Sequence, residues 1–167
     1  DRQYLGSTVP KYVLGWQNNF SYKNFDIDIY AFVRQGQTIN ATFLTRYNPS
    51  GTGNSLSDFD YWTPENPTND FPRPVKGGQF INYFGYQGFQ FVDGSFVKIR
   101  NITLGYNLPE RLLSRIKAQR MRIYATANNY FTFSKNHLLK NYDPERGGDE
   151  GSPLTRQLVF GVNLGFY

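Results

Sequence analysis

The chain has 167 residues, with 18 basic against 13 acidic side chains, no cysteine, one histidine and one methionine. This removes disulfide scaffolds, cysteine-ligated metals and thiol catalysis, and it leaves little for acid–base chemistry near neutral pH. No run approaches the ~18 consecutive apolar residues of a membrane helix, and an aromatic fraction of 18 % argues against disorder.

Residues 10 to 36 read as two strands around a tight turn. Tyr12, Leu14, Trp16, Phe20 and Tyr22 fall on even positions, with Gly15, Gln17, Asn19 and Ser21 between them, which is the period of two of a strand. After Lys23-Asn24 the apolar set becomes odd, with Phe25, Ile27, Ile29, Ala31 and Val33 opposite Asp26, Asp28, Tyr30 and Arg34. A hairpin at Tyr22-Lys23-Asn24-Phe25 follows, and the face bearing Asp26 and Asp28 must meet water or partners. Residues 37 to 94 carry five prolines and no sustained period, so they read as a long loop whose many aromatics imply packing or binding.

A third strand is expected over about 95–108, where Val97 and Ile99 give way to Ile102, Leu104 and Tyr106. A slip of one position is what a β-bulge produces, and Arg100-Asn101 is its place. Pro109 to Ile116 is the one helix-like stretch, opening on proline. A fourth strand covers about 119–133, a Gly- and acid-rich loop 134–154, and a fifth strand about 155–167, where Leu158, Phe160, Val162, Leu164 and Phe166 alternate with smaller or polar residues.

Short and long connections alternate, with the C-terminus on the short side. Transmembrane β-barrels have this asymmetry, and a strand of ~9–11 residues crosses a tilted bilayer path. The low mean hydropathy of −0.57 agrees, because only every second strand residue would meet lipid. Periodicity alone is equally compatible with a secreted β-sandwich that binds carbohydrate through Trp62 and loop tyrosines. Five strands cannot close a barrel of at least ~8, so the membrane reading requires the rest of the wall to come from elsewhere.

Four ordered motifs bear on the choice. Asp93-Gly94-Ser95-Phe96-Val97-Lys98-Ile99-Arg100-Asn101-Ile102-Thr103-Leu104-Gly105-Tyr106 resembles the C-terminal part of SusC/RagA-like TonB-dependent transporters. Tyr61-Trp62-Thr63-Pro64-Glu65-Asn66-Pro67, Met121-Arg122-Ile123-Tyr124 with Asn128-Asn129-Tyr130-Phe131, and Tyr142-Asp143-Pro144-Glu145 fall in that family's order. The resemblance implies an all-β fold, an antiparallel transmembrane barrel of about 22 strands, of which these 167 residues would supply about five C-terminal ones. It also implies outer-membrane import of oligosaccharides or oligopeptides, with no cofactor and no enzymatic step. The implied partners are the remainder of the barrel, outer-membrane lipid, a SusD-like surface lipoprotein acting as lid, and the TonB complex through a plug-bearing N-terminal part absent from this chain. The C-terminus would face the periplasm of a Gram-negative bacterium.

Candidate residues follow from the same reading. Tyr61, Trp62, Asp143 and Glu145 are expected to contact substrate or lid, and Asp26, Asp28, Arg34 and Asn163 to face the lumen. Phe160, Val162, Leu164, Phe166 and Tyr167 would form the assembly signal, with Tyr167 overhanging the alternation by one position. His137 is expected to be a solvent-exposed loop residue, and the acidic loop lacks the spacing of a calcium site. The basic cluster Arg111, Arg115, Lys117, Arg120 and Arg122 reads as a solvated turn or a contact for lipid phosphates, with no nucleic acid implied.

Overall fold

The computed structural model describes residues 3–47, 51, 59–76, 88–147 and 154–166. Strands β1 (Tyr12–Tyr22) and β2 (Phe25–Gln35) form the expected hairpin, with Tyr22 opposite Phe25. Lys23 takes φ 53° at the first turn position, where both primed hairpin turns need positive φ. Short strands β3 (Thr38–Asn40) and β4 (Phe91–Asp93) pair in a separate two-stranded ribbon. Strand β5 (Phe96–Asn107) is followed by α1 (Glu110–Leu113) and a 3₁₀ turn, then by β6 (Arg120–Ser134) and β7 (Gln157–Gly165).

The main sheet has the order β1-β2-β5-β6-β7, and every pairing is antiparallel. Two connections at one end are compact, and two at the other are long. The long ones are more ordered than the sequence suggests. Besides the β3–β4 ribbon they hold 3₁₀ turns at Thr42–Arg46, His137–Leu139 and Pro144–Arg146. Strands of three residues are too short to display a period, so these elements leave no trace in the hydropathy pattern.

Register lines the apolar residues into rows across the strands. Phe20, Ile27, Leu104, Ala125 and Phe160 form one row, and Leu14, Val33, Val97 and Phe133 form another. The opposite face carries rows such as Gln17, Tyr30, Asn101, Asn128 and Gln157. The register shifts at Arg100 in the β2–β5 pairing, and in the β5–β6 pairing Asn129 and Tyr130 of β6 stand opposite Arg100 alone. The bulge absorbs one residue, so Ile99 and Ile102 stay on the same face despite opposite parity.

Burial is inverted relative to a water-soluble sheet protein. Leu14, Trp16 and Phe20 are each more than half exposed, and Phe160 is 74 % exposed. The buried apolar cluster lies instead in the long connections, where Ile39, Phe43, Leu44, Tyr47, Phe71, Val92 and Leu139 pack together. Phe43 and Tyr142 stack at 3.5 Å between ring centroids, which joins the two long connections to one another. Among the described residues no second sheet covers the apolar face, so the sandwich architecture is absent. From Tyr12 to Tyr22 the apolar band runs about 33 Å along the strand at ~3.3 Å per residue, or about 25 Å high at a tilt of ~40°, the height of a barrel's lipid belt.

Close packing on the polar face depends on glycine at one position in particular. Gly105 lies beneath the Asp26–Arg122 ion pair, and a Cβ there would collide with the Arg122 guanidinium and the Asp26 carboxylate. Gly105→Val is therefore expected to lower stability by about 1–3 kcal/mol. Gly88→Ala, where an added Cβ meets nothing within 4 Å, should be close to neutral. Urea unfolding midpoints of the two variants in vesicles or detergent measure the difference.

Candidate functional site

Where the sheet meets the long connections, Asp93-Gly94-Ser95 forms a knot. Ser95 is fully buried. Its backbone N–H donates to Asp93 Oδ1 at 2.9 Å, its hydroxyl accepts from the Gly36 N–H at 2.9 Å, and its carbonyl accepts from the Lys135 N–H at 2.9 Å. The Gln37 amide donates to the Gly94 carbonyl at 3.1 Å, and the Gly94 N–H returns a bond to the Gln37 carbonyl at 2.9 Å. The ends of β2, β4 and β6 are thereby tied to the start of β5.

Lys135 Nζ reaches Asp93 Oδ2 at 2.7 Å. Burial pushes the Asp93 carboxyl up, but hydrogen bonds from Lys135 and Ser95 outweigh it and hold the group below the usual carboxylate range. Lys135 is raised in turn, by its hydrogen bond to Asp93.

Lys98 is the least expected residue of the site. Its side chain is 1 % exposed and lies on the polar face, where its Nζ donates to Asp143 Oδ2 at 2.9 Å and to Glu145 Oε2 at 3.0 Å. Glu145 also pairs with Arg100, whose guanidinium lies 4.2 Å from the Phe32 ring centre. Asp143 caps its own 3₁₀ turn by accepting from the Glu145 N–H at 3.0 Å. The second long connection therefore folds back over the polar face and is fastened to the wall by charge.

The predicted site residues separate into groups. Asp143 and Glu145 hold this anchor. Asp26, Asp28, Arg34 and Asn163 share the polar face, each in register with polar-face neighbours. Asp26 accepts from Arg122 Nε at 3.0 Å and from the Asn107 amide at 3.1 Å, while Asp28 accepts from the Gln17 amide at 3.2 Å. Arg122 thus leaves the basic cluster to which the sequence assigned it. Register pairs it with Asn107, two residue pairs beyond Gly105, a cross-strand relation that spacing along the chain does not display.

Tyr61 and Trp62 are 42 % and 45 % exposed and sit where the loop bridges to Phe71. His137 is exposed as expected, but it is not isolated, because its Nε2 lies 2.6 Å from Asp70 of the other long connection. Phe160, Val162, Leu164 and Phe166 project from one side of the C-terminal strand, at least half exposed, and Tyr167 lies outside the described residues. Lys98, Arg100 and Arg122 escaped sequence reasoning. The signal was available in the complementary charges of the Phe96-to-Arg100 and Tyr142-to-Glu145 motifs.

Among the described residues no cluster of three or more metal-ligating side chains occurs, and no helix is long and apolar enough to cross a membrane. No protein-family model matches the chain. Two TonB-dependent receptors of Formosa agariphila, P3 and P26, are 32 % and 30 % identical to it over 99 % of its length, which is 17 % and 18 % of theirs. The structure of the RagAB peptide importer in the open-open state matches 96 % of the chain, and 18 % of its own chain, with TM-score 0.67 and 27 % identity. The closed-closed state of the importer gives TM-score 0.66 at 25 % identity over 95 % of the chain and 18 % of its own.

The chain matches SusC/RagA-like TonB-dependent transporters over nearly its whole length. It spans less than a fifth of the length of the curated relatives it matches. The sheet is part of a transmembrane β-barrel, which accounts for an apolar face left uncovered among the described residues.

Two outcomes test the site. Lys98→Met leaves two largely buried carboxylates without the cation they share and is expected to cost about 3–5 kcal/mol locally. Limited proteolysis should then cut within residues 134–156 at least tenfold faster than in the unmodified protein. For the Asp93 knot the sign follows from a depressed carboxyl: its contribution is present above the unfolded value near 4 and is lost as pH falls through the lower folded value. Amide exchange at Gly36 and Ser95, corrected for intrinsic rates, should stay flat from about pH 5 to 8 and accelerate below about pH 4.

Proposed function

We propose that this chain forms wall, outer-loop platform and assembly signal of a TonB-dependent importer that moves oligopeptides or oligosaccharides across a Gram-negative outer membrane. The observation that carries the reading is the inverted burial: an apolar sheet face about one bilayer high lies open, while the only apolar core of the described residues sits in the long connections. Lipid covers such a face, and water fills the space beside the polar one.

In this arrangement Asp26, Asp28, Arg34 and Asn163 line the lumen. The hairpin at Lys23-Asn24, the α1 connection and the C-terminus face the periplasm, and the long connections face outward. The assembly signal is Phe160, Val162, Leu164, Phe166 and Tyr167, in phase along the last strand except for Tyr167. The outer connections share one core, so they offer a partner a single preformed surface. Tyr61 and Trp62 lie exposed on it, suited to a SusD-like lipoprotein or to substrate. Asp143 and Glu145 reach substrate only where the wall cations leave an oxygen free. TonB and its proton-driven complex would act on segments of the transporter outside these 167 residues, as in the family at large.

Leu104→Arg separates lipid from water on the apolar face. Leu104 is 51 % exposed, so on a water-facing sheet an arginine would be nearly neutral. Facing hydrocarbon, it costs about 2–4 kcal/mol near the midplane. Unfolding of the full-length transporter from lipid vesicles is expected to show the larger cost, with Asn19→Arg on the polar face below about 1 kcal/mol. In cells, uptake of labelled oligomers should require the full-length transporter and TonB together. Affinity purification should recover a surface lipoprotein, and uptake that persists without TonB would overturn the proposal.

A further inference from the structure

At the long-connection end of the polar face, the cations differ in whether a carboxylate neutralises them. Lys98 and Arg100 are neutralised by Asp143 and Glu145, and Arg122 is neutralised by Asp26. Arg34, the next-to-last residue of β2, has no hydrogen bond or ion pair among the described residues. Asp28 is the nearest carboxylate on its own strand, six residues away and so about 20 Å down an extended backbone, which is out of reach.

The free guanidinium is nonetheless held in place. Its Cζ lies 5.6 Å from the Phe32 ring centre and 5.7 Å from that of Phe96, and the two rings are 5.9 Å apart. Phe96 is the direct cross-strand neighbour of Arg34 and is itself buried at 2 % exposure. Phe32 is braced on another side by the Arg100 guanidinium, which Glu145 fixes. Two aromatic contacts restrain the side chain without occupying its N–H donors. A planar fork held this way has already lost part of the freedom that binding would otherwise remove, and a carboxylate matches it with two parallel hydrogen bonds.

We propose that Arg34 is an anion-recognition residue of the lumenal wall, receiving a carboxylate of the imported oligomer at the outer end of the barrel. The assignment rests on the import reading above and adds to it a substrate chemistry. A positive group beside water-filled space, backed by low-dielectric wall, attracts anionic oligomers and disfavours cationic ones. The carboxylate can belong to the C-terminus or an acidic side chain of a peptide, or to a uronic acid of an oligosaccharide.

The test uses the full-length transporter with its lid lipoprotein and four probes: hexa-alanine with a free or an amidated C-terminus, and tetragalacturonate or neutral galactotetraose. Binding is read by calorimetry at low and at physiological salt. The free-acid member of at least one pair is expected to bind at least tenfold tighter than its neutral counterpart. Arg34→Gln should erase that ratio while leaving the neutral member's affinity unchanged, and Arg34→Lys should retain part of it. The pair that shows the ratio names the source of the carboxylate. Heat-modifiable migration equal to that of the unmodified protein checks that both variants fold. Acidic and neutral probes bound alike by the unmodified transporter, or a ratio that survives Arg34→Gln, would overturn the assignment. TonB-dependent uptake that ignores substrate charge defeats this inference alone, whereas uptake independent of TonB defeats the import reading.

Discussion

An antiparallel strand must send alternate side chains to opposite faces, and in this chain all five long strands obey that constraint in one continuous register. Everything else depends on it. The apolar rows are continuous only because each strand is in phase with its neighbour, and they remain so across the Arg100 bulge because the bulge absorbs the one residue that would otherwise invert β5. A face of such extent cannot be left to water by a stable protein. The bilayer supplies the cover that no other element among the described residues provides.

The polar face follows a different economy. Several of its charges are paired across strands or to a loop, and the Asp26–Arg122 pair sits where a neighbouring residue is small. Gly105 leaves room for Arg122 to reach Asp26, and Gly161 leaves room for the Tyr124 ring. At the long-connection end the same logic attaches a loop, since Lys98 is buried by the segment that carries its counter-ions. Buried ion pairs add little net stability compared with apolar packing, but breaking one is costly, so they suit a contact that must fix position. The platform of long connections is fixed in two ways, by an apolar core shared between them and by this charged fastening to the sheet.

The main strands, the tight hairpin, the bulge and the sheet face shared by Asp26, Asp28, Arg34 and Asn163 were legible in the sequence. Period-two alternation is a local property, and the parity switch at Lys23-Asn24 and the slip after Ile99 are visible without any knowledge of partners. The β3–β4 ribbon was not legible, because three residues carry no period and its stability comes from a core assembled from distant segments. The roles of Asp143 and Glu145 were not legible either. A carboxylate in a Gly-rich loop looks solvated until Lys98, 45 residues away along the chain, is brought beneath it.

The sequence by itself therefore determined which residues face which medium, since strand geometry converts parity directly into orientation. The tertiary structure alone decided which charges are spent and which remain available. Arg122, Lys98 and Arg100 are consumed by cross-strand and loop partners, while the Arg34 guanidinium is left with ring contacts and no counter-ion among the described residues. That distinction depends on register and loop return, which are long-range relations set by packing, and no local pattern of residues encodes them.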